Sequence, residues 1–148
     1  QGADIVIVAT NSTGRAANIA FHGRWMEPGM HVNSIGSTAP LLREVDPETF
    51  GRADVVVLDV PASQVEQESG DVMEAVKAGQ FSREKARGIQ QIIAGEAAGR
   101  ANPEQITLYK SVGNAVQDVV AGFAVYQEAV RRGLGIDVGE FLEKKILS

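Results

Sequence analysis

Two kinds of apolar pattern alternate along the chain, and each predicts a different element. Ile5-Val6-Ile7-Val8 and Val55-Val56-Val57-Leu58 are short unbroken runs, suited to strands buried on both faces. They predict strands over residues 4–9 and 54–60, and residues 30–35 and 106–109 read as two more. Val116, Val119, Val120, Phe123, Ala124 and Val130 instead recur at helical spacing. They predict a helix over residues 114–132, ended by Gly133 and Gly135. Ile89, Ile92 and Ile93 mark a helix over residues 84–94, and residues 63–79 read as helical with an interruption near Gly70. Asp46 and Pro47 suit the N-cap and first turn of a short helix over residues 47–52. Residues 15–24 carry a mixed signal that includes a short helix. A final helix over residues 138–146 offers Phe141, Leu142 and Ile146 for docking.

Strands that alternate with helices predict an α/β fold, a mostly parallel sheet of about four strands with right-handed crossovers. No repeat, low-complexity tract or linker divides the 148 residues, so residues 1–148 read as one domain, with its C-terminal helices over about 114–148. The run at the start of the chain predicts that residues 3–9 lie at the sheet edge.

In such sheets, ligands bind at the carboxyl ends of the strands. Two strand ends have a suitable design. Ile35 and Gly36 lead into Ser37 and Thr38, where a glycine admits close approach to the backbone and hydroxyls stand at the rim. Lys110 and Ser111 precede Gly113 and the long helix, which places Ser111 either as an N-cap or as a ligand group. Lys110 reads as a partner for a surface carboxylate. Thr10, Asn11 and Ser12 form a third strand-end cluster, equally readable as a turn closed by side-chain hydrogen bonds. Glu68 and Asp71 sit at a spacing that places two carboxylates on one helical face. They read either as an acid/base pair or as a helix start capped by Ser69.

Composition narrows the classes. The net charge is −5, and the basic residues form no tract, which argues against a nucleic-acid partner. There is no cysteine, so disulfides and thiolate metal sites are excluded and a reducing cytoplasm fits. No apolar run reaches membrane-spanning length. His22 and His31 have no neighbours at ligand spacing, so no metal site is expected; His31 reads as a packing or surface residue and Trp25 as core or interface.

In order along the chain stand GADIVIVATNS (2–12), WMEPGMHVNSIGS (25–37), the P-x-x-RE-x-D series (40–46), ADVVVLD (53–59), ESGD (68–71), AGR (98–100) and ITLYKSVGNAVQD (106–118). This ordered set resembles the ornithine cyclodeaminase/mu-crystallin family, from residue 2 to about residue 135. The resemblance implies the distal part of a Rossmann domain that binds NAD or NADP. It also implies an amino- or imino-acid substrate and a homodimer or higher oligomer. It assigns cofactor contact to Thr10, Asn11, Ile35, Gly36 and Ser111, and a place in the substrate pocket to Glu68. Thr38 stands where ornithine cyclodeaminases have a water-activating aspartate, and Leu42 where they have lysine. A threonine hydroxyl orients a substrate but is no general base without a partner. The implied activity is therefore ketimine reduction or amino-acid dehydrogenation. A cyclodeaminase-type lyase and a crystallin-like ligand-binding protein without turnover are the alternatives. The Gly-x-Gly-x-x-Gly phosphate loop is not in these 148 residues. The chain thus reads as the C-terminal part of a longer polypeptide, expected by itself to hold the cofactor weakly or not at all and to be inactive.

Overall fold

A computed structural model describes residues 2–10 and 19–139. It forms two units, Gln1–Asn114 and Ala115–Ser148.

The first unit is a parallel sheet whose core face is covered by helices, with one short helix beside the other face. Its strands are β1 (Ile5–Val8), β2 (His31–Ser34), β3 (Val55–Leu58), β4 (Ala86–Gly88) and β5 (Thr107–Lys110). Their order is β1-β2-β5-β3-β4, and every pairing is parallel. The last strand in sequence thus inserts between β2 and β3. Among the described residues β1 pairs only with β2 and lies at the edge, as the sequence predicted.

The sheet has five strands rather than about four. The extra one, β4, comes from the segment 84–94 that read as a helix throughout. Its α-helical part is the second half alone, α4 (Ile89–Ile93), after a 3-10 turn at Arg83–Lys85. The isoleucine spacing marks that half alone. Ahead of it, Ala86–Gly88 finds backbone partners on the open edge of β3, which outweighs any helical preference of three residues.

Helix α1 (Pro47–Arg52) starts as expected: Asp46 accepts the Thr49 amide at 3.1 Å, and Pro47 occupies the first turn. The expected interruption near Gly70 separates α2 (Ala62–Glu68) from α3 (Gly70–Lys77), because Ser69 is extended.

Period-2 alternation divides the sheet into two faces. Val8, Val32, Val56, Leu58 and Leu108 are buried with Phe50, Val65, Val72 and Ala75 of the helices. Each of the larger of these side chains, Ala75 excepted, contributes roughly 1.5–3 kcal/mol on burial. Phe50 and Phe81 meet edge to face at 5.9 Å. The alternate residues, Ile5, Ile7, Asn33, Val57 and Tyr109, point the other way. There Ile5 and Ile7 remain exposed, and a cleft of about 490 Å³ lies between α4 and the strands. His31, half-buried, meets Thr107 Oγ1 at 2.7 Å, and Arg100 donates to the same hydroxyl at 3.1 Å. Trp25 is 48% exposed, edge to face with Phe21 and His22, so it is a surface ring and not a core one.

The second unit contains α5 (Ala115–Arg132), which confirms the predicted helix. Its apolar residues Val116, Val119, Val120 and Phe123 are exposed, and Glu128 pairs with Arg131 and Arg132. Gly133 follows in the left-handed region, φ 65°, a glycine stop. Most of the expected helix over 138–146 and residues 15–18 of the mixed segment 15–24 lie outside the described residues; the rest of that segment leads into a 3-10 turn at Gly23–Trp25. Among the described residues, no helix is long and apolar enough to cross a membrane.

Candidate functional site

Because the pairings are all parallel, the carboxyl ends of β1, β2, β5 and β3 share one rim. A chain of buried polar groups lies beneath it.

Gly36 follows β2. A methyl at Gly36 would fall 2.1 Å from Glu44 Oε1. The space expected to admit a ligand at Gly36 is filled by Glu44 on the side where a Cβ would project. Glu44 is fully buried. It accepts the Gly36 amide at 2.7 Å and the Thr10 hydroxyl at 2.5 Å, which joins the ends of β1 and β2 through one carboxylate.

Lys110 ends β5 and is fully buried. Its register partners are Ser34 and Leu58, on the core face. Its ammonium donates to Ser37 O at 2.9 Å and lies 3.4 Å from both Ser34 O and Ser34 Oγ. Its counter-charge is Asp71 Oδ2, 3.7 Å away and equally buried. The expected surface partner is therefore corrected to an interior one. Asp71 Oδ1 accepts the amides of Glu44 at 2.8 Å and Val45 at 3.3 Å. Burial pushes the Asp71 carboxyl up, against the opposing pull of Lys110 and these amides. Burial pushes the Lys110 ammonium down, against Asp71, Glu44 and Asp59.

Asp59 follows β3. It accepts Ser111 Oγ at 2.6 Å and the Gly113 amide at 2.9 Å. Ser111 is thus not the N-cap of α5, which begins at Ala115; it closes the 111–113 turn. Its amide also reaches Ser34 O at 3.1 Å, so it stands beside Ile35. Burial, followed by Asp59, raises Tyr109 above the usual phenol value.

The structure brings Thr10, Gly36 and Ser111 together at the rim, with Ile35 40% exposed and Thr38 exposed. Asn11 and Ser12 lie outside the described residues. Glu68 is half-buried at the end of α2 and accepts Gln64 Nε2 at 3.1 Å. It and Asp71 face different partners, so they form no acid/base pair. Asp71 does stand in the first turn of α3, after Ser69 at the N-cap, but Ser69 makes no capping bond; its hydroxyl meets Ser37 Oγ at 3.2 Å. Among the described residues, no cluster of His, Asp and Glu has the composition of a metal site.

Sequence reasoning missed Glu44, Asp59 and the Lys110–Asp71 pair as a network. One signal was available for Lys110. In a strand it shares a face with Leu108, and a lysine on a core face needs a buried counter-charge.

A profile described as the ornithine cyclodeaminase/mu-crystallin family matches residues 1–133. The Delta(1)-pyrroline-2-carboxylate reductase of Bacillus cereus is 36% identical over 137 residues, covering 90% of this chain and 39% of the reductase. The mouse ketimine reductase mu-crystallin is 36% identical over 125 residues, covering 84% of this chain and 36% of its own. The structure is similar to that of Thermococcus litoralis Delta(1)-pyrroline-2-carboxylate reductase in complex with NADH and L-proline. That similarity has a TM-score of 0.76 and 35% identity, over 93% of this chain and 41% of that one. The chain therefore spans about two fifths of the length of these relatives.

Proposed function

From the premise that this chain belongs to the ornithine cyclodeaminase/mu-crystallin family, we propose that it is the nicotinamide-side part of an NAD(P)-dependent reductase of cyclic imino acids. Delta(1)-pyrroline-2-carboxylate is the substrate class its relatives' names favour. The observation that carries this reading is the rim. Thr10, Gly36 and Ser111 come from three separate strand ends, and each is anchored by a buried carboxylate.

These residues fit a nicotinamide. Ile35 offers an apolar surface at the rim, and beyond Ser111 nothing lies within 4 Å of where a Cβ on Gly113 would stand. When bound, the cofactor supplies the hydride that reduces a C=N bond. The chain's part is to position. Ile35 and the backbone at Gly36 form the surface for the ring. Thr38, exposed and carrying only a hydroxyl, orients the imino acid by hydrogen bonding and does not exchange a proton at neutral pH. Glu68, two residues before Gly70, whose amide meets Ala39 O, lies near the same turn as a second polar group for the substrate. Thr38 and Leu42 in place of aspartate and lysine favour reduction over cyclodeamination.

The test is an NMR titration of the chain with NADH and NADPH, followed by addition of Delta(1)-pyrroline-2-carboxylate. The expected result is weak binding, with shifts confined to the amides of 35–38 and 111–113. Shifts centred on the α4 cleft, or none at millimolar cofactor, overturn the reading.

A further inference from the structure

The turn from Gly36 to Val45 is irregular backbone, yet much of it is inaccessible. Ser37, Glu44 and Val45 are fully buried. Buried peptide groups outside regular structure need hydrogen-bond partners. At its start, Ser37 O receives the Lys110 ammonium. At its end, the amides of Glu44 and Val45 are held by Asp71. Both ends of one turn are thus held by the two members of one ion pair. The pair's own separation, 3.7 Å, is longer than the 2.9 Å and 2.8 Å bonds its members make to the turn.

That ordering of distances matters. A buried ion pair is often no more stabilising than well-packed apolar residues of equal volume. Here the charges reach the turn more closely than they reach each other. Their geometry suits holding backbone better than it suits mutual attraction. The remaining contacts point the same way. Ser37 Oγ donates to Leu42 O at 2.6 Å across the neck of the turn, and the Gly70 amide meets Ala39 O at 3.2 Å. Between the held ends, Thr38 and Leu41 face solvent.

We propose that Lys110 and Asp71 are positioning residues: together they fix both ends of the 36–45 turn, and so set where the Thr38 hydroxyl stands relative to Ile35 and Gly36. This rests on reading that rim as the site of reduction, since only then does the placement of Thr38 carry function. The pair touches neither cofactor nor substrate; it acts through the turn.

The test is amide hydrogen exchange of the chain, comparing the turn (Gly36, Leu42, Glu44, Val45) with the sheet (Val56, Leu108). Lys110→Met with Asp71→Asn removes both charges without leaving either unpaired. The turn amides should exchange at least tenfold faster while the sheet amides hold their rates, and NADH should no longer shift Gly36. Ser34→Ala, which removes only the hydroxyl between Lys110 and Asp71, keeps the test open should the double variant fail to fold. It should give the same selective loosening, about threefold. Turn and sheet changing in step, or a turn that keeps its protection, overturns the proposal. Exchange needs no cofactor. Selective loosening with no NADH response in the parent chain leaves the positioning intact and defeats the proposed function alone.

Discussion

Gly70→Ala is expected to destabilise the chain although it adds a better helix former. Gly70 opens α3, and alanine gains about 0.5–1 kcal/mol over glycine inside a helix. Against that, the added methyl would lie 2.4 Å from Leu42 O and 2.6 Å from Pro40 O. An ordinary carbon–oxygen approach is about 3.3 Å, so those carbonyls must retreat by roughly 0.7–0.9 Å. They are backbone atoms in a turn held at both ends, and neither can rotate away. Overpacking of this kind costs about 1–3 kcal/mol. The net loss is then about 1–2 kcal/mol, and with a urea slope of about 1–3 kcal/mol per molar the midpoint falls by roughly 0.5–1.5 M. Trp25 fluorescence in urea reads it. Gly122→Ala is the control: it lies within α5, its Cβ would meet nothing within 4 Å, and the midpoint should hold or rise. A Gly70→Ala midpoint equal to or above that of the parent chain would refute the account of a clamped turn.

Asp46→Ala should lose about 1 kcal/mol at neutral pH, the worth of an N-cap, because Asp46 accepts Thr49 N, Thr49 Oγ1, Gly23 N and a 2.9 Å contact from His22. Burial raises the Asp46 carboxyl, but those hydrogen bonds outweigh it and leave the group below 3.8. A depressed carboxyl contributes in full above its unfolded value and loses that contribution as pH falls through the folded one. The gap between variant and parent in urea titrations should therefore close in acid, and a constant gap counts against the cap. In any assembly of this chain that reduces an imine, Thr38→Val should slow turnover about fivefold, one hydrogen bond of roughly 1 kcal/mol. Unchanged rates place Thr38 outside the pocket, and a thousandfold loss gives it proton chemistry.

Local pattern made much of the fold legible. The β-branched runs marked β1 and β3, the Asp46-Pro47 pair marked the start of α1, and the valine spacing marked α5. β4 was hidden because it is made by its neighbour: Ala86–Gly88 has little strand character and pairs where β3 leaves an edge. The rim residues Thr10, Gly36 and Ser111 were legible as strand ends. What holds them was not. Glu44 and Asp59 drew no reading, and Asp71 was paired with Glu68 or with a helix start, because their true partners lie far along the chain. Thr10 is 34 positions from Glu44, and Ser111 is 52 from Asp59. Gly36 was read as space for a ligand, since a sequence cannot show that a carboxylate already fills it.

The place of Lys110 in the ladder bears on how the sheet assembles. β5 joins last in sequence, between β2 and β3, and Lys110 must travel 76 positions to meet Ser34. Such distant pairings form slowly, when several offsets compete. A slip of one position turns every side chain of β5 over. It would carry Lys110 to the open face, put Tyr109 in the interior, and strand Asp71 without its counter-charge, a loss of about 3–5 kcal/mol. Leucines and valines tolerate an offset far better than that. One lysine in the central strand therefore works as a proofreader during folding, rejecting the wrong alignment before the chain commits to it.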